Sequence, residues 1–141
     1  MKIKIIIFLI SLFIILSLSC SKINVNEVRE YADPMTENLL IGRNEKNYEK
    51  YSKDFSDEMK EAVSEEKFLE SINLIEGKIG KYIENSKKFD SATKNNKYII
   101  VIYKAKFTNE SSNVTVRVVF EDVNGEMKIS GEFYDSPKLR Q

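Results

Sequence analysis

The chain of 141 residues has no histidine, no tryptophan, one cysteine, two prolines and five glycines. The missing histidine excludes the most. It removes the commonest general base at neutral pH and the commonest transition-metal ligand. Hydrolysis through a Ser-His-Asp triad, a Cys–His nucleophile and a zinc site of the usual type are therefore excluded. An enzyme built on this chain would have only carboxylate, lysine or tyrosine chemistry. The single cysteine, Cys20, rules out a disulfide within the chain, so a small exported domain must rest on its hydrophobic core. Acidic and basic residues balance at 22 each; without residues 1–19, which carry Lys2 and Lys4, acidic residues exceed basic ones by two. That balance offers no general attraction to nucleic acid or to anionic lipid heads. Neither a metal nor a cofactor is expected.

The first residues concern address. Lys2 and Lys4 precede a run from Ile5 to Leu18 of Ile, Leu and Phe, relieved by Ser11 and Ser17. The run falls short of the roughly 20 apolar residues that a bilayer-spanning helix needs. A charged start, a short apolar middle and small residues before a break read as a secretory signal peptide. Leu16-Ser17-Leu18-Ser19-Cys20 resembles the lipobox of bacterial lipoprotein precursors, with Ser19 and Cys20 matching and Ser17 departing from the usual leucine. The resemblance implies a diacylglycerol on the Cys20 thiol and cleavage that makes Cys20 the first mature residue. Ordinary cleavage after Ser17-Leu18-Ser19 is the alternative, leaving Cys20 a free thiol. The expected organisation is a signal peptide over 1–19, a lipidated N-terminus and tether over 20–33, and one α+β domain over 34–137. The expected location is the outer side of a bacterial cell membrane, with the lipid on Cys20 as anchor.

Periodicity then orders the domain. Val28, Ala32, Met35 and Leu39 recur at helical spacing, and Asn24 suits an N-cap. Because Pro34 interrupts the stripe, a start near Asp33 is favoured, with Pro34 in the first turn. Gly42 is expected to end this helix and Asn44 to restart the pattern. Tyr48, Tyr51 and Phe55 mark a short second helix, and Ser56-Asp57-Glu58 opens another short one. The strongest helix runs from Ser64 to Ile79, with Phe68, Ile72, Ile75 and Ile79 on one stripe, Ser64 as cap and Gly80 as stop. The period then becomes that of strands: 81–93 weakly, 98–108 and 114–122 strongly, with 109–113 as a loop. A final strand over 127–134 follows the Asn124-Gly125 hairpin turn. Helices first and an antiparallel meander after them give the α+β class.

Alternation separates two sheet faces. Ile99, Val101, Tyr103, Ala105 and Phe107, with Val114, Val116, Val118 and Phe120, form the core face, joined by Met127, Ile129 and Phe133. The other face mixes Tyr98, Ile100, Ile102, Val119 and Tyr134 with Arg117, Ser130 and Glu132. Apolar side chains rimmed by charge mark a candidate interaction surface: Tyr98, Ile100, Ile102, Arg117, Val119 and Tyr134.

Asn47-Tyr48 and Phe55-Ser56-Asp57-Glu58-Met59 stand before the helix ending Gly77-Lys78-Ile79-Gly80, and Lys128-Ile129-Ser130-Gly131-Glu132-Phe133-Tyr134 closes the meander. This arrangement resembles the DUF3887 family, within the cystatin-like or NTF2-like fold group. The resemblance covers roughly Met35 to Pro137. It implies helices packed on a curved antiparallel sheet with a cavity between them, and it carries no active-site residue. Tyr48, Tyr51, Tyr82 and Tyr103 are the candidate cavity residues. The functional expectation is a membrane-anchored module that binds a small ligand or a protein partner. The alternatives are a small enzyme pairing a tyrosine with Asp90 or Glu132 in an apolar pocket, and a self-associating envelope protein, such as a homodimer.

Overall fold

The computed structural model describes residues 22–141, so the expected signal peptide and Cys20 lie outside the described residues. Four helices come first: α1 (Val25–Glu45), α2 (Tyr48–Ser52), α3 (Asp57–Ala62) and α4 (Glu65–Ile79). Four strands follow: β1 (Lys88–Asn95), β2 (Tyr98–Phe107), β3 (Glu110–Val123) and β4 (Glu126–Asp135). The strands form one antiparallel sheet in the order β1-β2-β3-β4, so the α+β meander is the observed architecture.

The first helix differs from the expected one. It begins at Val25, capped by the Asn24 side chain, and runs through Pro34 to Glu45. An interior proline costs about 3 kcal/mol. Val28 and Ala32, both buried, repay that cost through core contacts, since a buried Val alone contributes about 1.5–3 kcal/mol. Residues 25–33 are therefore part of the packed domain and not a tether. Gly42 does not end the helix either. A Cβ there would sit 2.6 Å from the Tyr51 backbone nitrogen, so glycine allows α1 to lie directly against α2. The helix stops at Lys46, in the left-handed region at φ 54°, whose N–H reaches the Arg43 carbonyl. Asn44 remains inside α1, and its side-chain amide bonds both backbone groups of Tyr82 at 2.8 and 3.0 Å.

The longest β-strand, β3, starts at Glu110, so the connection expected over 109–113 shrinks to a tight turn. The expected first strand divides. Tyr82 makes an isolated bridge to Phe107, and β1 proper begins only at Lys88. Ser64 caps α4, and Phe68, Ile72 and Ile79 are fully buried on its core stripe. The core face of β2 and β3 is buried from Val101 to Phe107 and from Val114 to Phe120 in alternation.

One irregularity in β4 reverses an expectation. Ile129 pairs with Phe120 and Gly131 pairs with Val119, which makes Ser130 the extra residue of a β-bulge. An inserted residue shifts the alternation by one. Glu132 and Tyr134, opposite Val118 and Val116, therefore point to the core side. Phe133, expected in the core, is 57% exposed instead. β4 is also the sheet's edge, and Asp54–Ser56 adds itself there as a short parallel segment: Ser56 N–H to the Ile129 carbonyl at 2.9 Å, Ile129 N–H to Asp54 at 2.7 Å.

Candidate functional site

The bulge creates the most unusual chemistry in the domain, a carboxylate inside it. Glu132 has a side chain only 10% exposed, and that of Arg43 is 8% exposed. Arg43 Nη1 donates to Glu132 Oε1 at 3.0 Å and approaches the Ser71 hydroxyl at 3.4 Å. The Tyr51 hydroxyl donates to the same Oε1 at 2.5 Å, and Tyr134 donates to Oε2 at 2.6 Å. The guanidinium also lies over the Tyr134 and Tyr51 rings, 4.9 and 5.8 Å from their centroids. α1, α2, α4 and β4 each supply part of the cluster.

Burial alone would lower the Arg43 pKa, but the neighbouring oxygens of Tyr134, Glu132 and Tyr51 outweigh it and hold the guanidinium charged. Burial, with the Glu132 charge added, pushes the Tyr51 and Tyr134 hydroxyls well above the ordinary tyrosine value. Both phenols are therefore held as neutral donors. Each carboxylate oxygen already has a donor, so the cluster is a closed, charge-compensated unit.

Beside it opens a cavity of about 780 Å³. Its apolar wall comes from Met59, Ala62 and Val63 on one side and Tyr98, Val119 and Phe133 on the other. Tyr51, Ser71 and Glu132 form its polar end, and Glu58, Lys67, Lys97 and Glu121 complete the charged part of the lining. Both faces of β4 reach the cavity, Glu132 from the core side and Gly131 and Phe133 from the other. A smaller cavity of about 390 Å³ shares Ser71, Glu132 and Phe133 and adds Arg43 and Tyr134.

Of the four candidate cavity tyrosines, Tyr51 alone lines the larger cavity. Tyr48 donates to the Val63 carbonyl at 2.6 Å, just behind the wall. Tyr82 donates to Glu37, which pairs with Lys87 at 2.9 Å. Tyr103 donates to Asp33 at 2.7 Å, and Arg29 pairs with that carboxylate. The four hydroxyls thus serve separate partners; only the Tyr48 and Tyr51 rings come together, 6.3 Å apart and both against Phe68. The candidate interaction surface divides as well. Tyr98 and Val119 enter the cavity lining, Ile100 and Ile102 are half-buried, and Arg117 is exposed. Tyr134 leaves that face for the buried cluster. Asp90 is exposed and far less enclosed than Glu132. Arg43 escaped sequence reasoning, although its place four residues after Leu39 on the buried stripe of α1 was a usable signal. Among the described residues, no group of three or more His, Cys, Asp or Glu stands together as a metal site.

These environments set a pH profile. Tyr51, Tyr82, Tyr103 and Tyr134 all have folded pKa values raised above 10.0. Their contribution is complete below pH 10.0 and is lost above it, where the unfolded phenols ionise and the folded ones do not. For Glu37, burial raises the pKa, but Lys87, the Asn85 N–H and Tyr82 together outweigh it and lower the value below 4.5. Its contribution is complete above pH 4.5 and disappears as pH falls through the folded value. Urea midpoints measured against pH should therefore fall on both limbs, and a midpoint that rises above pH 10 would contradict the tyrosine assignments.

Comparison with known proteins bears on the family. Among curated proteins, no sequence match was found. A solved structure named Rd1NTF2_05, carrying five substitutions, is similar at 15% identity and a TM-score of 0.48, covering 77% of this chain and 99% of that chain. The family model described as "Protein of unknown function (DUF3887)" matches residues 37–131. That match spans α1 from Glu37 to the β4 bulge, more than half of the chain, and the chain belongs to the DUF3887 family.

Proposed function

We propose that this chain is an extracytoplasmic lipoprotein whose domain binds a small ligand in the cavity of about 780 Å³. The observation that carries the reading is the division of that cavity into an apolar wall and a polar end anchored by the Arg43–Glu132 pair. Ligand sites are commonly built this way, with apolar walls and a few fixed polar groups. The satisfied state of Glu132 supports holding a ligand over transforming it. A general base needs a free lone pair aimed at substrate, and here Arg43, Tyr51 and Tyr134 take up three of the roughly four lone-pair sites of the carboxylate.

The binding reading has a direct test in the uncharged fluorescent probe phenylnaphthylamine. Its emission should rise to saturation with the native protein and stay flat with Ala62→Trp, which fills the cavity from an exposed position on α3. A flat titration with the native protein would contradict the reading.

The anchor rests on the signal-like leader and on Cys20, and among the described residues no helix is long and apolar enough to cross a membrane. Cys20→Ser is expected to move the protein from the membrane fraction to the soluble one. Unchanged fractionation of that variant would remove the lipid anchor from the account.

A further inference from the structure

Four ionic pairs of functions could be sought in the cavity lining, but only two of its charges are free. Glu132 is compensated by Arg43 at 3.0 Å, and Glu121 by Lys97 at 2.8 Å. Glu58 and Lys67 are exposed and take part in no ion pair among the described residues. Their placement is specific. Lys67 Nζ donates to the Ala62 carbonyl at 3.1 Å, which holds the ammonium at the C-terminal end of α3. Glu58 stands four residues before Ala62 on the same helix, so both project from one face of it. Four residues of helix rise about 6 Å. One free anion and one free cation therefore stand about a helical turn apart, beside the apolar side chains of Met59 and Val63.

A ligand with a single charge pairs with one of these groups and meets the other as a like charge. An uncharged ligand pairs with neither. A ligand whose cation and anion lie a few bonds apart pairs with both, while its apolar chain lies against Met59, Val63, Val119 and Phe133. We infer that the cavity takes zwitterionic amphiphiles, with the cationic group at Glu58, the anionic group at Lys67 and the chain along the apolar wall. The inference rests on the binding function proposed above and adds the headgroup of the ligand to it.

The test is displacement of phenylnaphthylamine from the full-length protein by decylphosphocholine, decanoate, decylammonium and decanol, each below its micelle threshold. Glu58→Gln and Lys67→Gln are compared with the native chain; both positions are exposed, so the fold is kept. An exposed ion pair shifts an equilibrium by about twofold to fivefold. Each variant should therefore need about twofold to fivefold more decylphosphocholine and the same amount of decanol. Glu58→Gln should also bind decanoate more tightly, and Lys67→Gln decylammonium, because each loses a like charge. Raising the salt concentration should weaken decylphosphocholine with the native chain and leave decanol unchanged. Decylphosphocholine displacing equally from all three proteins would overturn the inference while leaving the cavity as a binding site. Failure of phenylnaphthylamine itself to bind the native protein would overturn the binding reading instead.

Discussion

Glu132→Ala should destabilise the domain by about 3–5 kcal/mol, the usual cost of removing one partner of a buried ion pair. The substitution strands three groups at once. Arg43 keeps a charge with almost no access to water, and the Tyr51 and Tyr134 hydroxyls lose their acceptor. Glu132→Gln should cost less, because its carbonyl oxygen still accepts a hydrogen bond. Replacing both charges, as in Arg43→Met with Glu132→Leu, should recover much of the loss, since apolar side chains of similar volume often substitute for a buried pair at little cost. Urea unfolding gives the comparison. A loss below about 1 kcal/mol for Glu132→Ala, the range of a surface pair, would mean that the cluster is not buried in the way described.

Phe68→Ala should have an effect of similar size for a different reason. Phe68 is fully buried on α4 and stacks on Tyr51 at 4.3 Å between centroids, with Tyr48 tilted against it at 5.6 Å. Truncation removes the transfer free energy of the ring and leaves a cavity, together about 3–5 kcal/mol. It also removes the surface that holds the Tyr51 ring, whose hydroxyl binds Glu132. A double-mutant cycle of Phe68→Ala with Tyr51→Phe should therefore show coupling of about 0.5–3 kcal/mol. Additive effects would mean that Phe68 packs without positioning Tyr51.

Much of the architecture was legible because local signals agreed with burial. The Ser64 cap and the stripe of Phe68, Ile72 and Ile79 identified α4, and Asn124-Gly125 identified the last hairpin, where both residues have positive φ. Alternation separated the faces of β2 and β3 correctly. The illegible parts are those where tertiary packing overrides a local rule. Pro34 reads as a helix boundary, yet the contacts of Val28 and Ala32 carry the helix through it. The bulge at Ser130 has only the strand-interior Gly131 as a local sign, weaker than a turn dipeptide, and one extra residue is enough to exchange Phe133 for Glu132 and Tyr134 on the core side. The polar end of the cavity depends on that exchange. Three of its partners come from other elements, which no pattern within β4 reveals.

The most direct test of the binding cavity is a native mass spectrum of the full-length protein purified in mild detergent, compared with Ala62→Trp. The account predicts a bound mass that leaves the native protein on activation, or an adduct formed on adding decanol, and neither with the variant. A native protein that stays unliganded with decanol present, or a variant that carries the same adduct, would contradict it.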